Sequence, residues 1–149
     1  MEKICKSLAE VELFAKEVLD FVIKHKKGDQ AFILRLVGDL GAGKTTFVKI
    51  FSRLLGVEDS VLSPTFVLQK FYYTKHSILK RLIHIDAYRI EESEEARILS
   101  LDELAKDPEA IICIEWPEKI KVHIPESGTV LTFTHIDPTT RKITLDLYV

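Results

Sequence analysis

The sequence lacks the features that mark secreted, membrane-spanning and general nucleic-acid-binding proteins. Its 149 residues include two cysteines, Cys5 and Cys113, which are too few for a disulfide framework. No apolar run approaches the roughly 18 residues of a membrane-spanning helix, and the N-terminus has no apolar segment typical of a signal peptide. The formal net charge of −2 gives no general basis for binding nucleic acid. We therefore expect a cytoplasmic protein that binds neither a membrane nor DNA.

The composition that remains is that of an ordinary globular domain. Hydrophobic residues make up 46% of the chain and charged residues 30%, close to average values for globular proteins. A chain of this length suits one domain, which can bury about two-thirds of the surface of its unfolded form. The sequence contains no internal repeat, low-complexity stretch or linker. We expect residues 1–149 to form a single domain.

The most informative motif is GDLGAGKT at residues 38–45, which fits the phosphate-binding pattern G-x-x-x-x-G-K-[ST]. Its glycines let the backbone turn N–H groups inward without side-chain clashes. Lys44 is expected to reach the β- and γ-phosphate oxygens, and Thr45 to place its hydroxyl on Mg²⁺. Residues 31–37 predict a buried strand before this loop. Residues 46–55 predict a helix whose N-terminus faces the phosphates.

The other elements are assigned from hydrophobic spacing. Ser7 and Glu10 have the spacing of a capping box, and a helical pattern follows as far as about residue 26. Strands are predicted over residues 66–73, 78–86 and 110–114, one or two short helices over 91–104, and an antiparallel hairpin over 130–136 and 143–149. Together they predict an α/β fold with a mostly parallel, P-loop NTPase-like sheet flanked by helices and an antiparallel C-terminal hairpin at its edge.

Two predicted strands end in a carboxylate, at Asp86 and at Glu115. In a parallel sheet both would emerge at the carboxyl edge, where the P-loop lies. Hydrolysis of a nucleotide needs an acid that holds Mg²⁺ and a group that orients water. The pattern favours one acid in each role, although either could instead be a surface acid that caps the next turn.

Several neighbouring residues have two open interpretations. Arg89 is either a structural ion-pair partner or a charge for the γ-phosphate. Thr65 is either a switch threonine that senses the γ-phosphate or the start of a strand after a proline. His84 is expected to be packed and hydrogen-bonded rather than a base. Trp116 is expected to form a wall of the pocket or of a partner surface.

Four motifs together resemble the TsaE (YjeE) family, small bacterial ATPases required for threonylcarbamoyladenosine modification of tRNA. They are residues 38–46, SPTF at 63–66, HIDAYR at 84–89 and EWPE at 115–118. The motifs follow the order of the family, and the resemblance covers nearly the whole chain. The P-loop alone would be unspecific, but the last two motifs after SPTF are highly specific.

The resemblance implies that ATP binds along the P-loop and that Thr45 and Glu115 hold Mg²⁺. It gives Asp86 a role in hydrolysis, places Thr65 in a switch-like loop and Ser7 near the adenine. The implied ATP-binding residues of the P-loop are Gly41, Ala42, Gly43, Lys44, Thr45 and Thr46. The catalytic residues implied are Lys44, Asp86 and Glu115.

The resemblance also implies partners. The protein would act with TsaB and TsaD, of which TsaD transfers the threonylcarbamoyl group to adenosine 37 of tRNA. The chain itself would meet tRNA at most indirectly, through this complex. In the C-terminal hairpin turn, where relatives often carry Gly-Arg, this chain has Asp137-Pro138 with Arg141 following. Whether that turn contacts the nucleotide stays open.

Other enzyme classes compete with this interpretation. The main alternative is a small P-loop kinase that phosphorylates a small-molecule acceptor, although the chain has few residues to spare for a lid. A GTPase is disfavoured because the sequence has no [NT]-K-x-D guanine motif. A purely regulatory nucleotide-binding domain is also possible on the P-loop alone, but it would have no need for a water-activating acid.

Overall fold

A computed structural model describes residues 1–62, 68–125 and 128–148 of the chain. Its strands form one seven-stranded sheet in the order β1-β7-β6-β2-β5-β4-β3. The strands are β1 (Glu2–Cys5), β2 (Phe32–Val37), β3 (Gln69–Tyr73), β4 (Arg81–Asp86), β5 (Ala110–Glu115), β6 (Gly128–His135) and β7 (Arg141–Tyr148). The helices are α1 (Leu8–His25), α2 (Lys44–Leu54), α3 (Leu101–Leu104) and two 3₁₀ helices, Ser93–Leu99 and Pro117–His123.

The centre of the sheet is parallel and its outer strands are antiparallel. Strand β2 pairs in parallel with β5 and β6, and β4 pairs in parallel with β5. Strand β3 pairs antiparallel with β4, while β7 pairs antiparallel with β6 and β1. The predicted α/β fold is confirmed, including the C-terminal hairpin. That hairpin is followed at the edge by β1.

Two hydrophobic clusters cover the two faces of the sheet. Helices α1 and α2 lie on one face, where Phe14, Val18, Phe47 and Phe51 are fully buried. The 3₁₀ helices and α3 cover the other face and contribute Leu99, Leu101 and Ile120 to its cluster. All six residues of β5 are buried, because this strand is covered on both faces. The continuous apolar run at residues 110–114 is explained by this position.

Helix α1 begins as its sequence predicts. The Ser7 hydroxyl accepts a hydrogen bond from the backbone N–H of Glu10 at 3.2 Å. The Glu10 carboxylate accepts from the backbone N–H of Lys6 at 2.6 Å, one residue before the cap. Ser7 therefore satisfies one N–H group of the first helical turn. The return bond from Glu10 goes to Lys6 rather than to the Ser7 N–H that a capping box would use. No helix in the described ranges is long and apolar enough to cross a membrane.

The structure corrects the predicted elements at three places. Strand β1 was not predicted, because its four residues form a strand only by pairing with the distant β7. Strand β4 begins at Arg81 rather than at residue 78. The second 3₁₀ helix was also missed, because a seven-residue helix that starts with proline has too little periodicity to detect. Residues 66 and 67 of one predicted strand lie outside the described residues.

An ion-pair network holds the amino end of β4 against the segment before β5. The Arg81 guanidinium donates to both carboxylate oxygens of Asp107, with Nη2 to Oδ1 at 2.6 Å, and to Glu109 at 3.0 Å. The Asp107 side chain is 25% exposed. The hydrogen bond from Arg81 holds the pKa of Asp107 below its usual range. A bidentate, half-buried pair of this kind is stronger than an exposed one.

This network makes the stability of the fold depend on pH in a defined direction. Because the pKa of Asp107 is lowered in the folded state, its contribution is complete above the ordinary carboxyl pKa and is lost as the pH falls through the lowered value. We expect Asp107→Asn to lower the free energy of unfolding by about 1 kcal/mol at neutral pH. The difference from wild type should close in acid, as urea unfolding at a series of pH values would measure.

Glu94→Gln is the matched control for that experiment. Glu94 forms an ion pair with Arg97, and the two side chains are 66% and 74% exposed, respectively. The substitution removes the carboxylate of this exposed pair. Its effect should stay below about 0.5 kcal/mol at any pH. Equal losses in the two variants would contradict a special contribution from the Arg81 network.

Candidate active site

The P-loop connects the end of β2 to the start of α2 and is shaped by glycines. Gly41 and Gly43 have φ values of 77° and 106°, in the left-handed region that favours glycine. A Cβ at either residue would meet nothing within 4 Å. The loop therefore presents open space beside its backbone, at the N-terminus of an eleven-residue helix. Backbone N–H groups and the helix dipole make such a place suited to phosphate.

Lys44 is buried at the first position of α2, with 5% of its surface exposed. Its ammonium group donates hydrogen bonds to the backbone oxygens of Gly38 and Asp39, the latter at 2.9 Å. It also lies 4.1 Å from the centroid of the Trp116 ring, within the range of a cation–π interaction. Burial lowers the pKa of Lys44. The cation is thus held against the loop that would bind phosphate.

Thr45 and Glu115 join the P-loop helix to the central strand β5. The Thr45 hydroxyl lies 2.9 Å from each of the two Glu115 carboxylate oxygens. Glu115 is 2% exposed, so this carboxylate is nearly removed from water. A second contact comes from β4, where His84 Nε2 lies 2.7 Å from Glu115 Oε1. The parallel strands have therefore brought the predicted hydroxyl and the predicted carboxylate into direct contact.

Asp86 lies beside Glu115 at the carboxyl edge of the sheet, because the two residues are register partners in the β4–β5 pair. Its Oδ1 accepts a hydrogen bond from the backbone N–H of Tyr88 at 3.0 Å. The Tyr88 and Trp116 rings have centroids 5.0 Å apart. Trp116 has a left-handed backbone, with φ 58°, which is uncommon for a non-glycine residue and occurs often at functional sites.

Two cavities border the P-loop, and both include Gly41, Ala42 and Gly43. The cavity on the side of the carboxylates has a volume of about 290 Å³. Its charged and hydroxyl side chains are Lys44, Thr45, Thr46, Asp86, Tyr88 and Glu115. We call it the phosphate-side cavity. The other cavity, of about 350 Å³, lies between the P-loop, the start of α1 and the C-terminal hairpin. We call it the hairpin-side cavity.

The hairpin-side cavity contains residues from distant parts of the chain. Ser7 lines it, and so do the apolar Leu8 and Phe133. Arg141 at the start of β7 also lines it and reaches the P-loop, with Nη2 3.5 Å from the Gly41 backbone oxygen. Its Nη1 donates to the backbone oxygen of Asp137 at 2.7 Å. A cavity with an apolar wall and a few polar groups has the character of a ligand site.

The donor set of the phosphate-side cavity fits Mg²⁺ bound with a nucleotide. Mg²⁺ prefers oxygen ligands and is usually held by one or two protein oxygens, together with water and substrate phosphates. The Thr45 hydroxyl and the Glu115 carboxylate are such oxygens, and Asp86 lies next to them. The described residues contain no group of three or more His, Cys, Asp or Glu side chains that could hold a metal by themselves.

Comparison with known proteins places this chain in a family. Residues 5–143 match the sequence model of TsaE, described as a threonylcarbamoyl adenosine biosynthesis protein. The chain belongs to the TsaE family. Proteins of the same name from Bacillus subtilis and Aquifex aeolicus are 38% and 32% identical to it. The first alignment covers 80% of this chain and 70% of the relative, and the second covers 96% of both.

A solved structure has a similar fold. The fold resembles the crystal structure of YdiB from Bacillus subtilis with a TM-score of 0.75 and 26% identity. The match covers 99% of this chain and 84% of that chain. The resemblance to the TsaE family and the fold class predicted from the sequence are both confirmed. Membership of the TsaE family connects the chain to threonylcarbamoyladenosine biosynthesis in tRNA.

The structure brings together most of the residues that the sequence singled out. Lys44, Thr45, Asp86 and Glu115 share the phosphate-side cavity, and Ser7 lines the hairpin-side cavity. Thr65 lies outside the described residues. Their roles toward ATP and Mg²⁺ stay predictions.

Sequence reasoning left the contribution of the C-terminal hairpin open. The structure places Arg141 beside Gly41, 100 positions away in the chain. No local pattern marks this contact, because it depends on the order of β7, β6 and β2 in the sheet. His84 is packed and hydrogen-bonded, as expected, and its partner is Glu115. Trp116 does line the phosphate-side cavity.

The first P-loop glycine is expected to be intolerant of any side chain. A Cβ on Gly38 would lie 2.6 Å from the Phe133 backbone oxygen, and its φ is 153°. We expect Gly38→Ala to lower the free energy of unfolding by about 2 kcal/mol or more, since backbone must shift to relieve the contact. Gly28→Ala is the control, because its Cβ would meet nothing within 4 Å. Equal stability of the two variants in urea unfolding would contradict this.

Proposed function

We propose that this protein binds and hydrolyses Mg²⁺-bound ATP at the P-loop, and that it acts with TsaB and TsaD in the threonylcarbamoyladenosine modification of adenosine 37 in tRNA. The observation that carries the proposal is the contact between Thr45 and Glu115, which joins a P-loop hydroxyl to a buried strand-end carboxylate at 2.9 Å. Family membership supports the pathway. The partners rest on the sequence resemblance alone.

The two cavities suggest how ATP would lie across the loop. The phosphate-side cavity would receive the β- and γ-phosphates, near Lys44 and the backbone N–H groups of Gly41 to Thr46. The hairpin-side cavity would receive the nucleoside, between Ser7 and the hairpin. The Ser7 hydroxyl already accepts from Glu10, so toward a base it has its own hydrogen to donate. Arg141 would border this end of the nucleotide.

Each charged residue of the phosphate-side cavity has a distinct proposed role. Lys44 would exchange its contacts with the Gly38 and Asp39 carbonyls for the β- and γ-phosphate oxygens. Thr45 and Glu115 would hold Mg²⁺, which when bound neutralises phosphate charge that develops during transfer. Asp86, the register partner of Glu115, would orient the attacking water or accept its proton.

We expect the ATPase to be slow in the absence of its partners. Lys44 is the one cation among the described residues that line the phosphate-side cavity. P-loop enzymes with little positive charge around the γ-phosphate commonly gain rate from a partner that supplies it. We therefore propose that TsaB and TsaD raise the turnover.

The first test measures phosphate release from ATP by the protein alone and with its cognate TsaB–TsaD pair. We expect slow release alone and at least a severalfold rise with both partners. The control is the same mixture with the Lys44→Ala protein. The proposal would be wrong if TsaB and TsaD did not change the rate and ATP turnover appeared only with an added small-molecule acceptor. That result would instead support a small-molecule kinase.

A second test separates binding from chemistry. Lys44→Ala should weaken ATP binding by about tenfold or more, because a charge-assisted contact to phosphate is lost. Glu115→Gln and Asp86→Asn should lower the turnover by about a hundredfold while the Kd for ATP changes much less. Calorimetric titration and phosphate release measure the two quantities. Wild-type turnover in either acid variant would remove the role assigned to that acid.

A further inference from the structure

His84 is a fully buried histidine with one ring nitrogen in hydrogen-bond contact and one without a partner in the described part of the chain. It has no exposed surface and lies on β4 between Ile83 and Ile85, which face the opposite side of the sheet. Its Nε2 lies 2.7 Å from Glu115 Oε1. Its Nδ1 is buried and has no hydrogen-bond partner among the described residues. Buried polar atoms are nearly always paired, so this asymmetry calls for an explanation.

A neutral histidine carries one ring proton, and the different surroundings of Nδ1 and Nε2 favour one of the two nitrogens for it. A proton on Nδ1 would be a buried donor without an acceptor, and a bare Nε2 would then direct its lone pair at the Glu115 carboxylate. The unsatisfied Nδ1–H and the two lone pairs that face each other are both costly in a region from which water is excluded. A proton on Nε2 gives a charge-assisted hydrogen bond to Glu115 and leaves only an acceptor lone pair unused on Nδ1. The tautomer with the proton on Nε2 therefore has the lower free energy of the two.

The register of the parallel strands explains why this histidine can reach that carboxylate. His84 pairs with Cys113, and Asp86 pairs with Glu115. Residues two apart on a strand face the same side of a sheet, so all four side chains share the face that α2 covers. His84 therefore lies level with Cys113, two residues before Glu115, on the same face of the sheet. It contacts the Glu115 carboxylate from the neighbouring strand, while Thr45 contacts it from the P-loop helix.

We propose that His84 is a positioning residue, whose Nε2–H donates to Glu115 Oε1 and fixes the orientation in which this carboxylate meets the metal-bound nucleotide. The proposal rests on the proposed ATPase function for its effect on rate, but not for the hydrogen bond itself. Thr45 is equally distant from both carboxylate oxygens, so it does not select one orientation by itself. His84 contacts only one of the two oxygens, Oε1, and therefore selects one orientation of the carboxylate. Partners that orient a metal-holding group commonly change activity by about tenfold or more when removed.

The first test reads the proton directly and requires no catalysis. Long-range proton–nitrogen NMR spectra of the full chain labelled with ¹⁵N report which ring nitrogen of each histidine carries the hydrogen. The signals of His84 are assigned by their loss in His84→Gln. We expect protonation at Nε2 and a bare Nδ1. A proton on Nδ1 would overturn the proposal, whatever the ATPase activity of the protein.

The second test uses three substitutions at the same position. His84→Gln places an amide N–H near the position of Nε2, His84→Asn holds its amide too short to reach, and His84→Met fills space without a donor. We expect Met and Asn to lower kcat by about tenfold or more with KM for ATP changed less than about threefold. Gln should recover most of the lost turnover. Similar losses in all three variants, or wild-type turnover in His84→Met, would overturn the proposal.

His123 supplies the matched control. Its Nε2 also makes one hydrogen bond, 2.9 Å from the Ser93 backbone oxygen, but it lines neither cavity beside the P-loop. His123→Met should leave kcat within about twofold of wild type. Thermal unfolding of every variant checks that the fold is retained. If the wild-type chain with TsaB and TsaD releases no phosphate, the proposed function fails while the NMR result still decides the position of the proton.

Discussion

The buried carboxylate of Glu115 is the constraint on which the rest of the site depends. A carboxylate that is 2% exposed is costly unless hydrogen bonds replace the lost water. The Thr45 hydroxyl and the His84 ring lie within hydrogen-bond distance of it and belong to two different elements, α2 and β4. The carboxylate thereby ties the P-loop helix to the middle of the sheet. It also brings a hydroxyl, two acids and a buried lysine into one cavity.

The two halves of the sheet serve the site in different ways. The parallel strands β2, β4 and β5 deliver the P-loop, Asp86 and Glu115 to a single edge. The antiparallel extension of β6, β7 and β1 does not carry these groups. It builds the wall of the hairpin-side cavity and positions Arg141 beside the P-loop. The residues around the P-loop therefore come from both parts of the sheet.

Lys44 is a buried cation held by groups from two parts of the chain. Its ammonium is satisfied by two carbonyls of its own loop and by the Trp116 ring. Trp116 adopts a left-handed backbone to lie there, a conformation that costs about 1–3 kcal/mol at a non-glycine residue. Backbone strain of this kind clusters at binding and active sites.

Some parts of this protein follow from local chemistry along the chain. The glycine spacing at residues 38–45 specifies a phosphate loop, and the apolar run before Glu115 specifies a strand buried on both faces. Both patterns involve residues that are neighbours in the sequence, so both can be detected without knowing the fold. Strand β1, the Arg141–Gly41 contact and the His84–Glu115 contact could not be predicted in this way. These depend on pairings between residues that are far apart in the chain, and only the strand order of the folded sheet brings them together.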